Sequence, residues 1–293
     1  MLLLTGATGR VGSALLPLLM QRHEPVRCLV RDPRRLGAER VRVQIALGDL
    51  GDPASFRHAL RGVSTVVHLA AADRDQPGAT IEEVDGVATW RLLRAAEAAG
   101  VQHFVFVSPL GATPHHRARL HRAKALAEQA VADASIATTV LRSSLIYAPG
   151  DRNLTVLDLL SLLPFVPVTG SMGRATTQPI AAADVAACLD AVIREPADGH
   201  RTLELAGPQV FTNRQAVGAM LEALGRPRRL VTVPSRLILS LLHAYEVATG
   251  PIALATRDEA DILAATMLSG RGTADAEALG VRPRSIAEVL AAA

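Results

Sequence analysis

The sequence is poor in cysteine, aromatic residues and net charge. It has two cysteines in 293 residues, Cys28 and Cys188, and each lies in an apolar run far from the other. This favours reduced, buried thiols over a disulfide or a zinc site. Lys and Arg number 31 against 28 Asp and Glu, and no dense basic run accompanied by aromatics occurs. We therefore expect no metal and no nucleic-acid partner.

Long hydrophobic runs are also missing. The two most apolar stretches, 154–168 and 237–255, are interrupted by charged residues, proline and glycine. Neither reaches the ~20 apolar residues that a membrane-spanning helix needs. No charged leader precedes the first apolar run, which begins at residue 2. We therefore expect a cytoplasmic chain without a transmembrane segment.

Glycines are concentrated where the chain begins. The apolar run Leu2–Thr5 leads into Gly6, Gly9 and Gly12, and a helical pattern follows. Such glycines permit a tight turn, a close backbone approach to a pyrophosphate and close helix packing, with the helix N-terminus facing the phosphates. The spacing GxxGxxG differs from the commoner GxGxxG, so a turn with incidental glycines is the alternative. The predicted ligand is a dinucleotide, and the other predicted contacts of this loop are Thr8, Arg10 and Val11.

Apolar, strand-like runs alternate with helical patterns through the first half of the chain. This alternation predicts an α/β fold with a Rossmann-type doubly wound parallel sheet, whose ligand lies at the carboxyl ends of the strands. The predicted strands are Leu2–Thr5, Val26–Val30, Val41–Ala46, Thr65–Leu69, His103–Val107 and Thr138–Leu141. The predicted helices are Val11–Gln21, Pro53–Leu60, Ile81–Ala99 and Arg119–Ala134.

The second half of the chain has a different pattern. After residue 150 it becomes helix-rich, with shorter strands and frequent proline and glycine. We expect an NAD(P)-binding domain over 1–150 and a smaller helix-rich C-terminal substrate lobe over 151–293, with some segments returning to the Rossmann core. The leucine-rich segments 154–168 and 237–242 lie in this lobe. If they line a cleft, the substrate is large and apolar or aromatic, such as a quinone; ordinary helix packing is the alternative.

The residues after the second predicted strand bear on cofactor choice. In a Rossmann fold an acidic residue here binds the ribose of NAD, whereas arginine accommodates the extra phosphate of NADP. Arg31 comes first, and Arg34 and Arg35 follow closely. We therefore predict a preference for NADP(H). NAD(H) remains possible, with Asp32 holding the ribose.

Two further loops are expected to contact the cofactor. Asp49, followed by Leu50, could accept a hydrogen bond from the adenine amino group, and Asp52 could cap the next helix. The small residues Ala70 and Ala71 would let the backbone pass close to the cofactor. We interpret His68, just before them, as a packed strand-end residue.

The motifs occur in a familiar order. The successive segments TGATGRVG, LVRDP, GDL, HLAA, AAEAAGV and QHFVFVS, and later TxLRxSxIYxPGD and QPIxxxDVA, resemble the short-chain dehydrogenase/reductase superfamily. Within it the chain resembles the extended or atypical branch, which includes NmrA-like proteins and the accessory-subunit group of respiratory complex I. The similarity extends over essentially the whole chain. It implies a Rossmann fold, an NAD(P) cofactor and oxidoreductase chemistry.

The resemblance also implies catalytic positions. In the superfamily a serine, and a tyrosine four residues before a lysine, carry out the proton transfer, and the lysine binds the nicotinamide ribose and lowers the tyrosine pKa. Ser108 and Lys124 fall on the serine and lysine positions. The tyrosine position holds Leu120, so the usual proton relay is in doubt.

Histidines are the nearest substitutes for the tyrosine. His121 precedes Lys124 by three residues, and His115 and His116 lie in the loop after the fifth strand. An imidazole could act as a general acid; the alternative is a solvated His121 and a mobile loop. Tyr147 could reach the nicotinamide end or fill the lobe interface. We interpret Asp184 and Thr212 as structural residues at helix starts.

Three functional hypotheses follow. The first is an NAD(P)H-dependent oxidoreductase that reduces a carbonyl or conjugated double bond of an apolar small molecule, acting as a monomer or homodimer. The second is a non-catalytic NAD(P)-binding redox sensor or assembly protein, which the missing tyrosine favours. The third, a nucleotide-sugar epimerase or dehydratase, is weakened because those reactions usually depend on that tyrosine.

Overall fold

A seven-stranded parallel sheet forms the centre of the molecule in a computed structural model, which describes residues 1–76, 78–196, 198–250, 253 and 255–291. The strands are β1 (Leu2–Thr5), β2 (Val26–Val30), β3 (Gln44–Leu47), β4 (Thr65–His68), β5 (His103–Pro109), β6 (Ala137–Ser143), β7 (Ile146–Tyr147), β8 (Phe165–Thr169), β9 (Thr176–Thr177), β10 (Ile180–Ala181), β11 (His200–Leu205), β12 (Phe211–Thr212) and β13 (Arg229–Val233). The sheet order is β11-β6-β5-β4-β1-β2-β3. This confirms the predicted Rossmann-type fold.

Helices cover both faces of this sheet. The α-helices are α1 (Arg10–Gln21), α2 (Pro53–Phe56), α3 (Ala88–Ala98), α4 (Arg119–Ala132), α5 (Arg152–Leu160), α6 (Ala182–Arg194), α7 (Asn213–Ala223), α8 (Ser235–Thr249), α9 (Arg257–Leu263), α10 (Ala274–Ala278) and α11 (Ile286–Leu290). Short 3-10 helices occupy Pro33–Val41, Arg57–Leu60 and Gly170–Gly173, and a π-helix occupies Glu82–Val87. Within the described ranges, none of the helices combines the length and the apolar character needed to span a bilayer.

The central strands of the sheet are largely apolar because helices bury both of its faces there. Leu2 and Leu4 of β1 point into a core shared with α1 and α6, whereas Leu3 points into a second core shared with α3 and α4. Each fully buried leucine contributes roughly 1.5–3 kcal/mol. Cys28 and Cys188 are both free and buried in the first core, as predicted. Burial raises the pKa of each thiol to about 12.

One predicted strand begins later than expected. The prediction began it at Val41, but the first residue of β3 is Gln44, which pairs with Arg27 of β2. Val41 ends a 3-10 helix and is 82% exposed. Val41 is therefore an apolar residue at the surface, and it does not belong to the strand.

The second half of the chain contributes both to the sheet and to a separate core. Helix α6 packs on α1, and β11 pairs with β6 at the edge of the sheet. The third core contains Tyr147 and side chains from α5, α7 and α11. The apolar run 237–255 folds in part as α8, and its residues 251, 252 and 254 lie outside the described residues.

Two predicted structural residues stabilise this half. Asp184, near the start of α6, accepts three hydrogen bonds from Arg284, one from its backbone and two from its guanidinium group. Thr212 accepts from the Gln215 backbone, and the two residues form a capping box at the start of α7. Both roles were predicted from the sequence.

Candidate cofactor and active site

The loop after β1 can be built only with glycine at two positions. Gly6 has φ +71°, and a Cβ atom there would lie 2.5 Å from the Ala70 backbone nitrogen. A Cβ atom on Gly12 would lie 2.2 Å from the Gly6 carbonyl oxygen. Any larger residue would therefore push α1 away from β1 and the end of β4.

The first turn of α1 is open to an anion. Gly9 is the N-cap and provides no side-chain cap, and no acidic residue lies in the first turn. Among the described residues, no side-chain cap accepts from the backbone N–H groups that begin the helix, and these groups carry the positive end of the helix dipole. Gly9 and Arg10 are exposed, Thr8 is half-buried and Val11 is buried. This arrangement fits a dinucleotide pyrophosphate.

Arg31 and Asp32 differ in how their side chains are used. Arg31 is exposed at the end of β2, and its side chain makes no hydrogen bond or ion pair within the described part of the chain. The Asp32 carboxylate caps the following 3-10 helix and accepts from the Arg34 N–H at 3.0 Å. The Arg31 guanidinium is therefore available to a ligand, whereas the Asp32 carboxylate already accepts a hydrogen bond from a neighbouring backbone N–H.

The loop after β3 is held by short side-chain contacts. The Asp49 carboxylate accepts from the Gly51 N–H at 2.8 Å, and Leu50 is half-buried beside it. Asp52 caps α2 by accepting from the Ala54 N–H at 3.0 Å, as predicted. Asp49 is exposed, so an oxygen of its carboxylate lies at the surface where an adenine is expected.

The end of β4 is buried and closely packed. His68 is fully buried, and its ring contacts the Thr5 hydroxyl at 2.7 Å and the Thr89 hydroxyl at 3.0 Å. Burial and the charge of Lys124 lower its pKa to about 3. His68 is therefore a packed strand-end residue, as the sequence suggests. The following residues, Ala70 and Ala71, are half-buried and exposed respectively.

Lys124 forms a buried ion pair that the sequence analysis missed. Its ammonium lies 3.1 Å from Asp85 Oδ1 and 4.5 Å from the centre of the Phe106 ring. Asp85 is fully buried in the π-helix that begins the predicted helix 81–99, and it also accepts from the Ala72 N–H at 2.8 Å. Burial raises the pKa of Asp85, and the charge of Lys124 opposes this. An acidic residue inside an apolar helical pattern was the available signal.

Ser108 lies near this ion pair and has an unused hydroxyl. It is buried near the end of β5, and among the described residues its hydroxyl has no hydrogen-bond partner. Ser108 and Phe106 lie on the same face of β5, because alternate residues of a strand share a face. Leaving a buried hydroxyl unsatisfied costs about 1–3 kcal/mol, so the position fits a group supplied by a ligand.

His121 is buried and not solvated. Its ring stacks on His116 with 4.1 Å between the centroids, and neither ring nitrogen has a partner within the described ranges. Burial, and then the neighbouring His116, lower the His121 pKa to about 4. The imidazole is therefore neutral at pH 7 and can donate one hydrogen bond. Leu120, at the usual tyrosine position, is half-buried, and His115 is exposed.

This low pKa predicts a pH-dependent contribution to stability. Between about pH 6.5 and 4 the unfolded chain protonates this histidine and the folded chain does not, so stability falls as the pH is lowered. His121→Leu should make that fall shallower by about 1.4 kcal/mol per pH unit. Urea unfolding across this range measures it. His58→Gln, at an exposed histidine, is the control and should keep the wild-type slope; an unchanged slope in His121→Leu would contradict the prediction.

An apolar cavity of about 320 Å³ lies in the C-terminal half. Tyr147 forms part of its wall, and burial raises the pKa of the phenol. Both predicted leucine-rich segments line this cavity, so they form a cleft wall as well as helix packing. Lining residues from these segments include Leu154, Leu157, Leu160, Val166, Ile238 and Leu242.

An arginine connects the cavity wall to the segment that follows β4. Arg119, the first residue of α4, pairs with Glu82 at 2.6 Å, with Asp75 at 3.0 Å and with Asp258 at 3.2 Å. Asp75 lies in the segment after β4, and Asp258 lies in α9, which lines the cavity. Sequence patterns could not indicate this cluster, because its members come from separate segments.

The fold and the glycine loop together define a dinucleotide-binding protein. A family described as NAD(P)H-binding matches residues 6–196, and the chain belongs to this family. The chain is 28% identical to an NAD(P)H azoreductase of Xenophilus azovorans over 85% of its own length and 81% of that protein. It is 29% identical to the Arabidopsis thaliana mitochondrial NADH dehydrogenase [ubiquinone] 1 alpha subcomplex subunit 9, over 78% of this chain and 59% of that protein.

Solved structures share the fold over the full chain. An NADPH-dependent quinone oxidoreductase from Escherichia coli, in complex with NADPH, aligns with a TM-score of 0.78 at 22% identity, covering 100% of this chain and 99% of that one. At this identity the likeness shows the fold alone. The family match and the relatives above confirm the resemblance to atypical short-chain dehydrogenases/reductases and to the complex I subunit group.

Proposed function

We propose that this protein is an NADPH-dependent oxidoreductase that reduces a carbonyl or conjugated double bond of an apolar small molecule. The observation that carries the proposal is the set of buried polar groups beside β5. Ser108 and His121 have side-chain atoms without a hydrogen-bond partner among the described residues, and Lys124 is held by Asp85 beside Phe106, on the face of β5 that carries Ser108. Bound NADPH would supply the hydride.

The residues have distinct proposed roles. Lys124 binds the nicotinamide ribose, and Asp85 fixes the position of its ammonium. The Ser108 hydroxyl donates to the substrate oxygen and orients it. His121, neutral at pH 7, donates a hydrogen bond to the substrate but keeps its proton. The proton that completes the reduction comes from water, because Leu120 cannot provide one. The name of the Xenophilus relative, a reductase, supports this class of reaction.

The proposed preference for NADP(H) depends on Arg31. Its guanidinium is open, and an arginine at this position can pair with the 2′-phosphate. The Asp32 carboxylate is engaged as a helix cap, which weakens the alternative in which it holds an NAD ribose. Gly6, Gly9, Gly12 and the first turn of α1 are proposed to bind the pyrophosphate. The other proposed cofactor contacts are Thr8, Arg10, Val11, Asp49, Leu50, Ala70 and Ala71.

The apolar cavity is the proposed substrate site, and filling it tests the proposal. Val217→Phe places a larger side chain in the cavity wall. It should lower kcat/KM for apolar quinones and aldehydes by more than about tenfold, because the substrate loses its apolar contacts, while the Kd for NADPH stays unchanged. NADPH oxidation with each substrate measures this.

Val210→Phe is the matched control for this experiment. Val210 is 58% exposed and does not line the cavity. The control should keep wild-type kinetics. Equal kcat/KM in Val217→Phe and the wild type would contradict the assignment of the cavity, and no NADPH oxidation by the wild type with any substrate would contradict the proposed reaction.

A second function is favoured by two observations. Leu120 stands at the tyrosine position, and one relative is named as a subunit of a larger complex. A non-catalytic NAD(P)-binding sensor or assembly protein would retain Lys124 only to bind the ribose. Such a protein should bind NADPH and NADP with different affinities and should oxidise no NADPH with any substrate.

A further inference from the structure

The turn between α5 and β8 exposes adjacent apolar side chains. Leu162 is 68% exposed, and Leu159, Leu163 and Phe165 are also exposed. Backbone hydrogen bonds from Leu162 to Leu159 and from Leu163 to Leu160 hold this turn in a defined conformation. We call residues 159–165 the leucine turn. Clustered exposed apolar residues are typical of interaction sites.

Arginines border the leucine turn. The Arg228 Nε atom donates to the Ser161 carbonyl at 2.7 Å, and Arg229 of β13 pairs in register with Phe165 of β8. Arg226 forms an ion pair with Asp158 at 3.1 Å. Arg228 and Arg229 are both exposed and have no carboxylate partner among the described residues. The leucine turn therefore has a positively charged border.

The elements that form this surface also line the apolar cavity. Leu157 and Leu160 of α5 face the cavity while Leu159 faces outward. Strand β8 behaves in the same way, because Val166 lines the cavity and Phe165 is 44% exposed. The leucine turn and the wall of the apolar cavity are therefore formed by the same short segments.

We propose that the leucine turn and its arginines dock on an anionic lipid bilayer. The leucines enter the interface between headgroups and acyl chains, and Arg228 and Arg229 pair with lipid phosphates. A second copy of the chain is a poorer occupant, because a two-fold interface through the same patch would bring two arginine clusters together. The proposal is independent of cofactor binding and turnover.

Co-sedimentation with vesicles tests the proposal. The full chain should sediment with phosphatidylcholine vesicles that contain phosphatidylglycerol and much less with phosphatidylcholine alone, and high salt should weaken binding. Neutralising the charges in Arg228→Gln/Arg229→Gln should weaken binding by about 30-fold. Leu162→Ser/Leu163→Ser should weaken it by more than about tenfold.

Controls separate the leucine turn from general surface effects. Val41→Ser/Leu126→Ser removes apolar side chains that are 82% and 56% exposed elsewhere, and it should bind vesicles like the wild type. Circular dichroism and thermal unfolding establish that each variant is folded. Equal sedimentation with neutral and anionic vesicles, or wild-type binding by both patch variants, would overturn the proposal. So would a dimer in gel filtration that binds no vesicles.

Discussion

Replacing Lys124 by alanine should lower the rate of NADPH oxidation by about 100-fold or more, in the range expected for loss of a group that positions reacting partners. The ammonium is buried and held 3.1 Å from Asp85, in a fixed position for the proposed contact with the ribose. The substitution should also destabilise the protein by about 3–5 kcal/mol, because it leaves the buried Asp85 carboxylate without its cationic partner. Steady-state kinetics and urea unfolding measure the two effects.

A double variant separates these effects. Lys124→Met/Asp85→Asn removes both charges and keeps similar volumes, so it should recover most of the lost stability. It should remain as inactive as the single variant, because the ribose has lost its ammonium partner. A folded double variant with wild-type kcat and KM would show that the ion pair is only structural and would contradict the role proposed for Lys124.

Gly12→Ala should both destabilise the protein and abolish NADPH binding. The added Cβ atom would lie 2.2 Å from the Gly6 carbonyl oxygen, so α1 must move away from β1. Overpacking of this kind costs typically about 1–3 kcal/mol, and the movement displaces the N–H groups proposed to bind the pyrophosphate. Thermal unfolding and calorimetric titration with NADPH measure the result.

Gly218→Ala is the matched control, since both glycines lie within helices. A Cβ atom on Gly218 of α7 would have its nearest neighbour at 3.8 Å, an ordinary contact. Alanine is the better helix former, so this variant should be more stable by about 0.5–1 kcal/mol and should bind NADPH normally. NADPH binding by Gly12→Ala with wild-type affinity would contradict the proposed cofactor loop.

The parts that the sequence predicts well are local. Residues Leu2 to Gly12 themselves indicate the turn after β1 and the start of α1. The alternating apolar runs likewise predict a parallel sheet without knowledge of distant contacts. The caps at Asp52 and Thr212 were also predictable, because a helix cap depends on neighbouring residues.

The parts that it predicts poorly depend on separate segments. The ion pair of Lys124 with Asp85 joins α4 to a π-helix, and the Arg119 cluster joins α4 to the segment after β4 and to α9. The burial of His121 likewise depends on the loop that carries His116. Asp85 stands out as an acidic residue in an apolar helical pattern, but spacing along the chain does not indicate which distant residue each of these side chains contacts.

The most direct test of the account is calorimetric titration of the wild-type protein with NADPH, NADP, NADH and NAD in parallel. We expect NADPH and NADP to bind more than about tenfold more tightly than NADH and NAD, because Arg31 can pair with the 2′-phosphate that only the first two carry. Binding of none of the four would contradict the cofactor loop and the proposed oxidoreductase, and tighter binding of NADH and NAD would contradict the role of Arg31.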